Sequence, residues 1–197
     1  MKKIFIGISL LASIGLFSFK TEKAITYKVD PKKSSLVWTG KKVTGEHTGT
    51  IPLTSGNISV ENKLVKSGTF EFNVAGLTVT DIADKDGNAK LVGHLKNDDF
   101  FAVTKYPTAK YVISSVESKG GDNYVVNGDL TIKGITNPVS FPAIIKTDSK
   151  TLTASGKITV NRTKYDIKFK SASFFENLGD KAIYDDFTLD VNLVAAI

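Results

Sequence analysis

The stretch Tyr124-Val125-Val126-Asn127-Gly128-Asp129-Leu130-Thr131-Ile132-Lys133 decides the fold class. Tyr124, Val126, Gly128, Leu130 and Ile132 fall on one register; Val125, Asn127, Asp129, Thr131 and Lys133 fall on the other. A period of two is that of a β-strand with one wet face, because successive side chains leave opposite sides of the backbone. The period recurs where Phe70, Phe72 and Val74 alternate with Thr69, Glu71 and Asn73, and where Phe187, Leu189, Val191 and Leu193 alternate with Thr188, Asp190 and Asn192. Weaker alternation runs through Leu36-Val37-Trp38, 111–116, 139–145 and 152–160. Between these runs stand turn formers: Asp30-Pro31, Ser55-Gly56-Asn57, Lys119-Gly120-Gly121-Asp122, Lys133-Gly134, Asn137-Pro138 and Asp148-Ser149.

About eight strands joined by hairpin-length turns must pair antiparallel, since a parallel pair needs a long crossover. Strands this long with sequential pairing favour closure into an up-and-down barrel, which removes exposed edges. Only 88–101 breaks the pattern. Leu91, Val92, Leu95, Phe100 and Phe101 are spaced as on a helix, which predicts one short helix covering an end of the barrel. It lies between a strand ending near Val79 and one starting near Thr108, just after Tyr106-Pro107. A second irregular piece spans 174–185, with Asp185-Asp186 as a solvated strand start. No repeat or linker divides 25–197, which reads as one domain.

Of 197 residues, 41% are hydrophobic and 23% charged, the balance of a globular protein. The absence of cysteine excludes a disulfide scaffold, thiolate metal ligands and a thiol nucleophile. Met1-Lys2-Lys3 followed by apolar 4–19 and then Lys20-Thr21-Glu22-Lys23 reads as a secretory signal over residues 1–19. The apolar run is shorter than the roughly 20 residues that span a bilayer. Cleavage is expected after Ser18, with an uncleaved anchor as the competing reading. The mature chain is expected in the periplasm or secreted, without stable membrane insertion.

Candidate chemistry is sparse. His47 and His94 are the two histidines, and no carboxylate or histidine stands at a spacing that would complete a metal site around either. They read as a turn histidine and a helix-surface histidine. Asp98 and Asp99 are adjacent, so on a helix they point apart, and Asp99 is placed to staple the turn into Phe100-Phe101. No nucleophile elbow or phosphate-binding glycine loop is found. Lys32-Lys33 and Lys41-Lys42 lack interleaved aromatics, so nucleic acid is not an expected partner. No enzyme, metal or cofactor is expected. The abundant material is apolar bulk, with twelve Phe, six Tyr and one Trp. An eight-stranded barrel has room for its own side chains or for one small ligand.

One block is distinctive: Gly93-His94-Leu95-Lys96-Asn97-Asp98-Asp99-Phe100-Phe101, followed by Lys105-Tyr106-Pro107-Thr108-Ala109. It closely resembles the signature of the YceI-like family. Val126 to Thr136 with Pro138-Val139, Asn161 to Ile167, and Tyr27 to Gly40 resemble further blocks of that family. Two positions depart from it: Ala102 stands where Asp is usual, and Tyr165-Asp166 replaces the common Phe-Gly. The resemblance implies an all-β, extended, lipocalin-like eight-stranded barrel with one short helix, exported, and holding an amphiphile in its bore. The ligands it implies are a polyisoprenoid, a quinone tail or another long-chain lipid; a homodimer is compatible with it.

Candidate ligand-binding residues are Trp38, Phe70, Phe72, Leu95, Phe100, Phe101, Tyr111, Ile113, Leu130, Ile132, Phe141, Phe187 and Leu189. Arg162, the only arginine, is the one candidate counter-charge for an anionic head, against a structural role. The alternative function is an exported structural or stress module whose barrel is filled by its own side chains.

Overall fold

The computed structural model describes residues 23–197; the expected signal over 1–19 and its cleavage after Ser18 lie outside them. The described residues form ten strands and one α-helix: β1 Ile25–Val29, β2 Ser35–Lys42, β3 Gly45–Thr50, β4 Leu53–Glu61, β5 Leu64–Asn73, α1 Lys85–Lys96, β6 Thr108–Ser118, β7 Asn123–Ile132, β8 Ile135–Thr147, β9 Thr151–Asn161 and β10 Ile183–Ala196. Every pairing is antiparallel, and β1-β4-β5-β6-β7-β8-β9-β10 closes into a ring of eight through β10 against β1. The hairpin β2–β3 continues this wall: β2 carries on along β10 after β1 ends, and β3 leads into β4. The barrel is therefore an up-and-down meander whose first two long strands are each broken once.

The period-two reading holds in detail. Phe70, Tyr111, Ile113, Leu130, Ile132 and Leu189 are buried, while Phe72 and Phe187 are partly buried and pack against the same core. The apolar register thus points inward, opposite to a barrel that turns its apolar face to lipid. Two-residue turns close the β4–β5 and β7–β8 hairpins at Asn62-Lys63 and Lys133-Gly134, all four with positive φ, the twist that suits right-handed strands.

Two expected turns are strand instead. Ser55-Gly56-Asn57 lies inside β4, and Asn137-Pro138 lies inside β8. Over 135–142, β8 pairs only with β7, and β9 joins from Ala143 onward. Pro138 and Pro142 stand in that half-paired stretch, where a missing N–H costs little. The strand expected to run to Val79 stops at Asn73. The chain then makes a 3-10 turn, and Thr78 and Thr80 donate their N–H groups to the carbonyls of Thr50 and Thr48, covering the free edge of β3.

The helix starts earlier and stops sooner than its apolar spacing predicts. Asp84 caps it by accepting from Gly87 N–H at 2.7 Å, so its first turn is polar and carries no hydrophobic signal. Phe100 and Phe101 follow it in a tight turn that Asn97 staples by accepting from Asp99 N–H, the role expected of Asp99.

At the family departure 165–166, Tyr165 is buried with its hydroxyl unpartnered, and burial pushes that phenol up to about 12. Asp166 adopts the left-handed φ that glycine would supply, so the local turn survives.

Candidate functional site

The inward faces of the strands enclose a cavity of about 100 Å³ along the bore. Carbon lines nearly all of it. Leu36, Ile58, Val65, Val126, Ile145 and Leu193 come from six different strands, and the polar side chains present are those of Tyr111 and Ser155. The Tyr111 hydroxyl donates to the Val139 carbonyl at 3.2 Å. Burial, with the nearby Asp129 charge, holds its pKa well above the ordinary phenol value, so it stays neutral. Among the described residues no charged side chain borders this cavity.

Glycines keep the bore open beside its largest rings. Gly128 faces the Tyr111 ring, where a β-carbon would lie 2.6 Å from Cζ and from the hydroxyl oxygen, and Gly156 faces Phe141 at 3.1 Å in the same sense. Without a side chain on the neighbouring strand, each ring lies against the wall rather than across the lumen.

A smaller chamber of about 70 Å³ sits at the helix end of the barrel, lined by Trp38, Leu77, Leu95, Phe100, Ile167 and Tyr184 among others. Trp38 is fixed there by its indole N–H, which donates to the Thr78 carbonyl at 3.0 Å, over Gly49 on β3. Ile51, Phe101 and Phe187 border both the chamber and the bore.

Ten of the thirteen residues singled out from the sequence therefore line the bore: Phe70, Phe72, Phe101, Tyr111, Ile113, Leu130, Ile132, Phe141, Phe187 and Leu189. Trp38, Leu95 and Phe100 line the chamber instead. The sequence reading missed Leu36, Ile145 and Ala154, whose strands carry weak alternation, Ile58, beside a stretch read as a turn, Val65, ahead of the alternating part of β5, and Ser155 and Gly156, which sit where the alternation of β9 lapses.

Arg162 is structural. It is 4% exposed and donates through Nε to the Tyr184 carbonyl, through Nη1 to Ile167 and through Nη2 to Ile183, at 2.8–3.0 Å. Desolvation lowers its pKa, and Asp185, 3.6 Å away, offsets part of that. Asp185 is accordingly a partnered residue and not the solvated strand start that its sequence suggests. Burial would raise its carboxyl, but hydrogen bonds from Ser171 and Ser173 and the Arg162 charge outweigh that and hold it below the ordinary value.

The histidines also have packing work. His94 stands edge-on to Phe100 and Phe169, with ring centroids 5.0 and 4.7 Å away, and its Nε2 meets Asp99 at 3.1 Å. It pins the helix to the loop after β9 and is more than the surface residue its sequence suggests. His47, on β3 and not in a turn, meets Asp81 at 2.8 Å. Among the described residues no cluster of three His, Asp or Glu could hold a metal ion.

A family profile described as the YceI-like domain matches residues 27–195. The chain belongs to the YceI-like family. A UPF0312 protein of Photorhabdus laumondii is 35% identical over 119 residues, which cover 56% of this chain and 57% of that protein. The chain thus spans just over half the length of this curated relative. Two solved structures share the fold. BcnA of Burkholderia cenocepacia has a TM-score of 0.67 at 23% identity, covering 84% of this chain and 98% of that one. A polyisoprenoid-binding domain of Saccharophagus degradans, described as implicated in plant cell wall breakdown, has a TM-score of 0.65 at 15% identity, covering 86% and 97%.

Proposed function

We propose that this YceI-like protein binds one long apolar chain inside its barrel, as an exported carrier or store of a polyisoprenoid, a quinone tail or a fatty-acyl amphiphile. The observation that carries this reading is the bore itself, lined by side chains from eight of the ten strands and, among the described residues, by none that is charged. A cavity of that kind stays dry, so filling it adds contacts without displacing bound water. An apolar cavity of about 150 Å³ takes one benzene ring, so about 100 Å³ takes on the order of four carbons as it stands, and a longer chain needs partly buried lining rings such as Phe72 and Phe187 to turn aside. At about 0.8 kcal/mol per buried methylene, a chain that placed about ten of them in the widened bore would gain about 8 kcal/mol, from which ordering costs are deducted.

The neighbour from Saccharophagus degradans, named for polyisoprenoid binding, supports the isoprenoid class. The basic start and apolar run of residues 1–19 support export. The alternative, a barrel packed solid by its own side chains, has the open bore against it.

The test is native mass spectrometry of the full-length protein expressed with its leader and isolated from the periplasm. A bound species that leaves on organic extraction and yields a long-chain lipid supports the reading. A protein that carries no lipid, and takes up neither prenol nor fatty acid after extraction, contradicts it.

A further inference from the structure

We propose that the apolar chain enters and leaves through a side opening in the barrel wall between β2 and β10, gated by Phe187; this rests on the lipid-binding reading above. The ladder between these strands is interrupted there. Ile183 pairs with Lys42 and Phe187 pairs with Gly40, so Tyr184, Asp185 and Asp186 together face Lys41 alone. On the other side, β9 joins β10 only from Asp186 onward. The carbonyls of Ile183 and Tyr184 are instead taken by Arg162. The wall at this point is held by Arg162 and by scattered bonds, from Ile183 N–H to the Lys170 carbonyl and from the Ser173 hydroxyl to Asp185, and not by a strand ladder.

Three cavities meet at the interruption. An outer groove contains Val43, Lys41, Ile183, Tyr184 and Phe187 in its lining. Lys41, Ile183, Tyr184 and Phe187 also border the helix-end chamber, and Phe187 borders the bore as well. Phe187 is thus common to outside, chamber and lumen. Its cross-strand partner on β9 is the buried Val160, but on β2 it is Gly40, where a β-carbon would meet only Trp38 Cζ3, at 3.8 Å. A ring facing a glycine has space to swing toward β2.

Other routes are closed more firmly. At the far end, the Tyr27 hydroxyl donates to the Asp148 carbonyl at 2.9 Å, with Tyr27 buried. The second seam, where β8 and β9 part over 135–142, is tied by Lys133 and Asn137, which donate to the carbonyls of Asp166 and Lys164. The geometry suits an amphiphile with a single tail, threaded tail-first, whose head rests in the outer groove beside the half-exposed Tyr184 and Lys41.

The chain has no cysteine, so a single introduced thiol can be labelled cleanly. Tyr184→Cys, at a position 52% exposed, and Pro138→Cys, on the second seam, are each compared with and without a bulky maleimide. The readouts are stopped-flow uptake of a fluorescent long-chain fatty acid, its release to vesicles, and equilibrium affinity. The label at 184 is expected to slow both uptake and release, by about tenfold, whatever it does to the contacts of the head, because both directions pass through the gate. Phe187→Ala is expected to speed both. The label at 138 is expected to change neither. Unchanged rates with the label at 184, or slowing by the label at 138, overturn the portal while leaving lipid binding intact. Absence of uptake by the unlabelled proteins overturns the binding reading and the portal with it.

Discussion

Phe70 on β5 lies directly across from Gly56 on β4, so close that a β-carbon at Gly56 would stand 2.9 Å from its ring Cδ1. The ring occupies the volume a side chain would take and borders the bore. Gly56→Ala is expected to push this ring toward the lumen and to press on Val29, at a cost of about 1–3 kcal/mol from overpacking. Thermal unfolding gives the first effect. Weaker binding of the longest chains, with short ones spared, gives the second.

The two rings after the helix play different parts. Phe100 is buried against His94 and Phe169, while Phe101 is partly buried and borders both bore and chamber. Phe100→Ala is expected to cost about 3 kcal/mol or more, as for a core aromatic. Phe101→Ala is expected to cost less stability and to change lipid affinity more. Denaturant titration and lipid binding of both variants separate the two roles, and equal effects would contradict them.

Removing Arg162 strands three backbone carbonyls and the Asp185 carboxylate in a poorly hydrated place. Arg162→Ala is expected to cost on the order of 3–5 kcal/mol. Arg162→Lys should rescue little, because an ammonium cannot reproduce three planar donors. Chemical denaturation checks both.

Asp185 is held below its ordinary pKa in the fold, so its contribution is present at neutral pH and disappears as acid protonates it. That loss falls below about pH 4, the range of an unperturbed carboxyl downward. Asp185→Asn is therefore expected to flatten the acid side of the stability profile, read as melting temperature against pH. An unchanged acid slope would show that other carboxylates carry it.

Barrel, strand register and most of the bore were legible because alternation of large apolar and short polar residues has one structural meaning, as at Phe70-Glu71-Phe72 or Leu130-Thr131-Ile132. What was not legible depends on partners distant in sequence. Ser55-Gly56-Asn57 has the composition of a turn, and only the Phe70 ring across from it makes a strand glycine sensible there. Asn137-Pro138 reads as a break because nothing local says that one edge of β8 is free. The hairpin at Asn62-Lys63 was missed since Lys63 has no intrinsic preference for positive φ. Arg162 and Asp185 are far apart along the chain, and burial gives them a role that their residue types alone leave open.

On the proposed function, recognition resides in the apolar bore and not in a charged head-group site. The most direct test is titration of the lipid-free protein with straight-chain fatty acids and prenols of increasing length, at low and high salt. Each added methylene is expected to strengthen binding by at most about 0.8 kcal/mol until the bore is full, with little change between the two salt concentrations. Affinity that is flat with chain length, or that collapses in salt, would contradict the account.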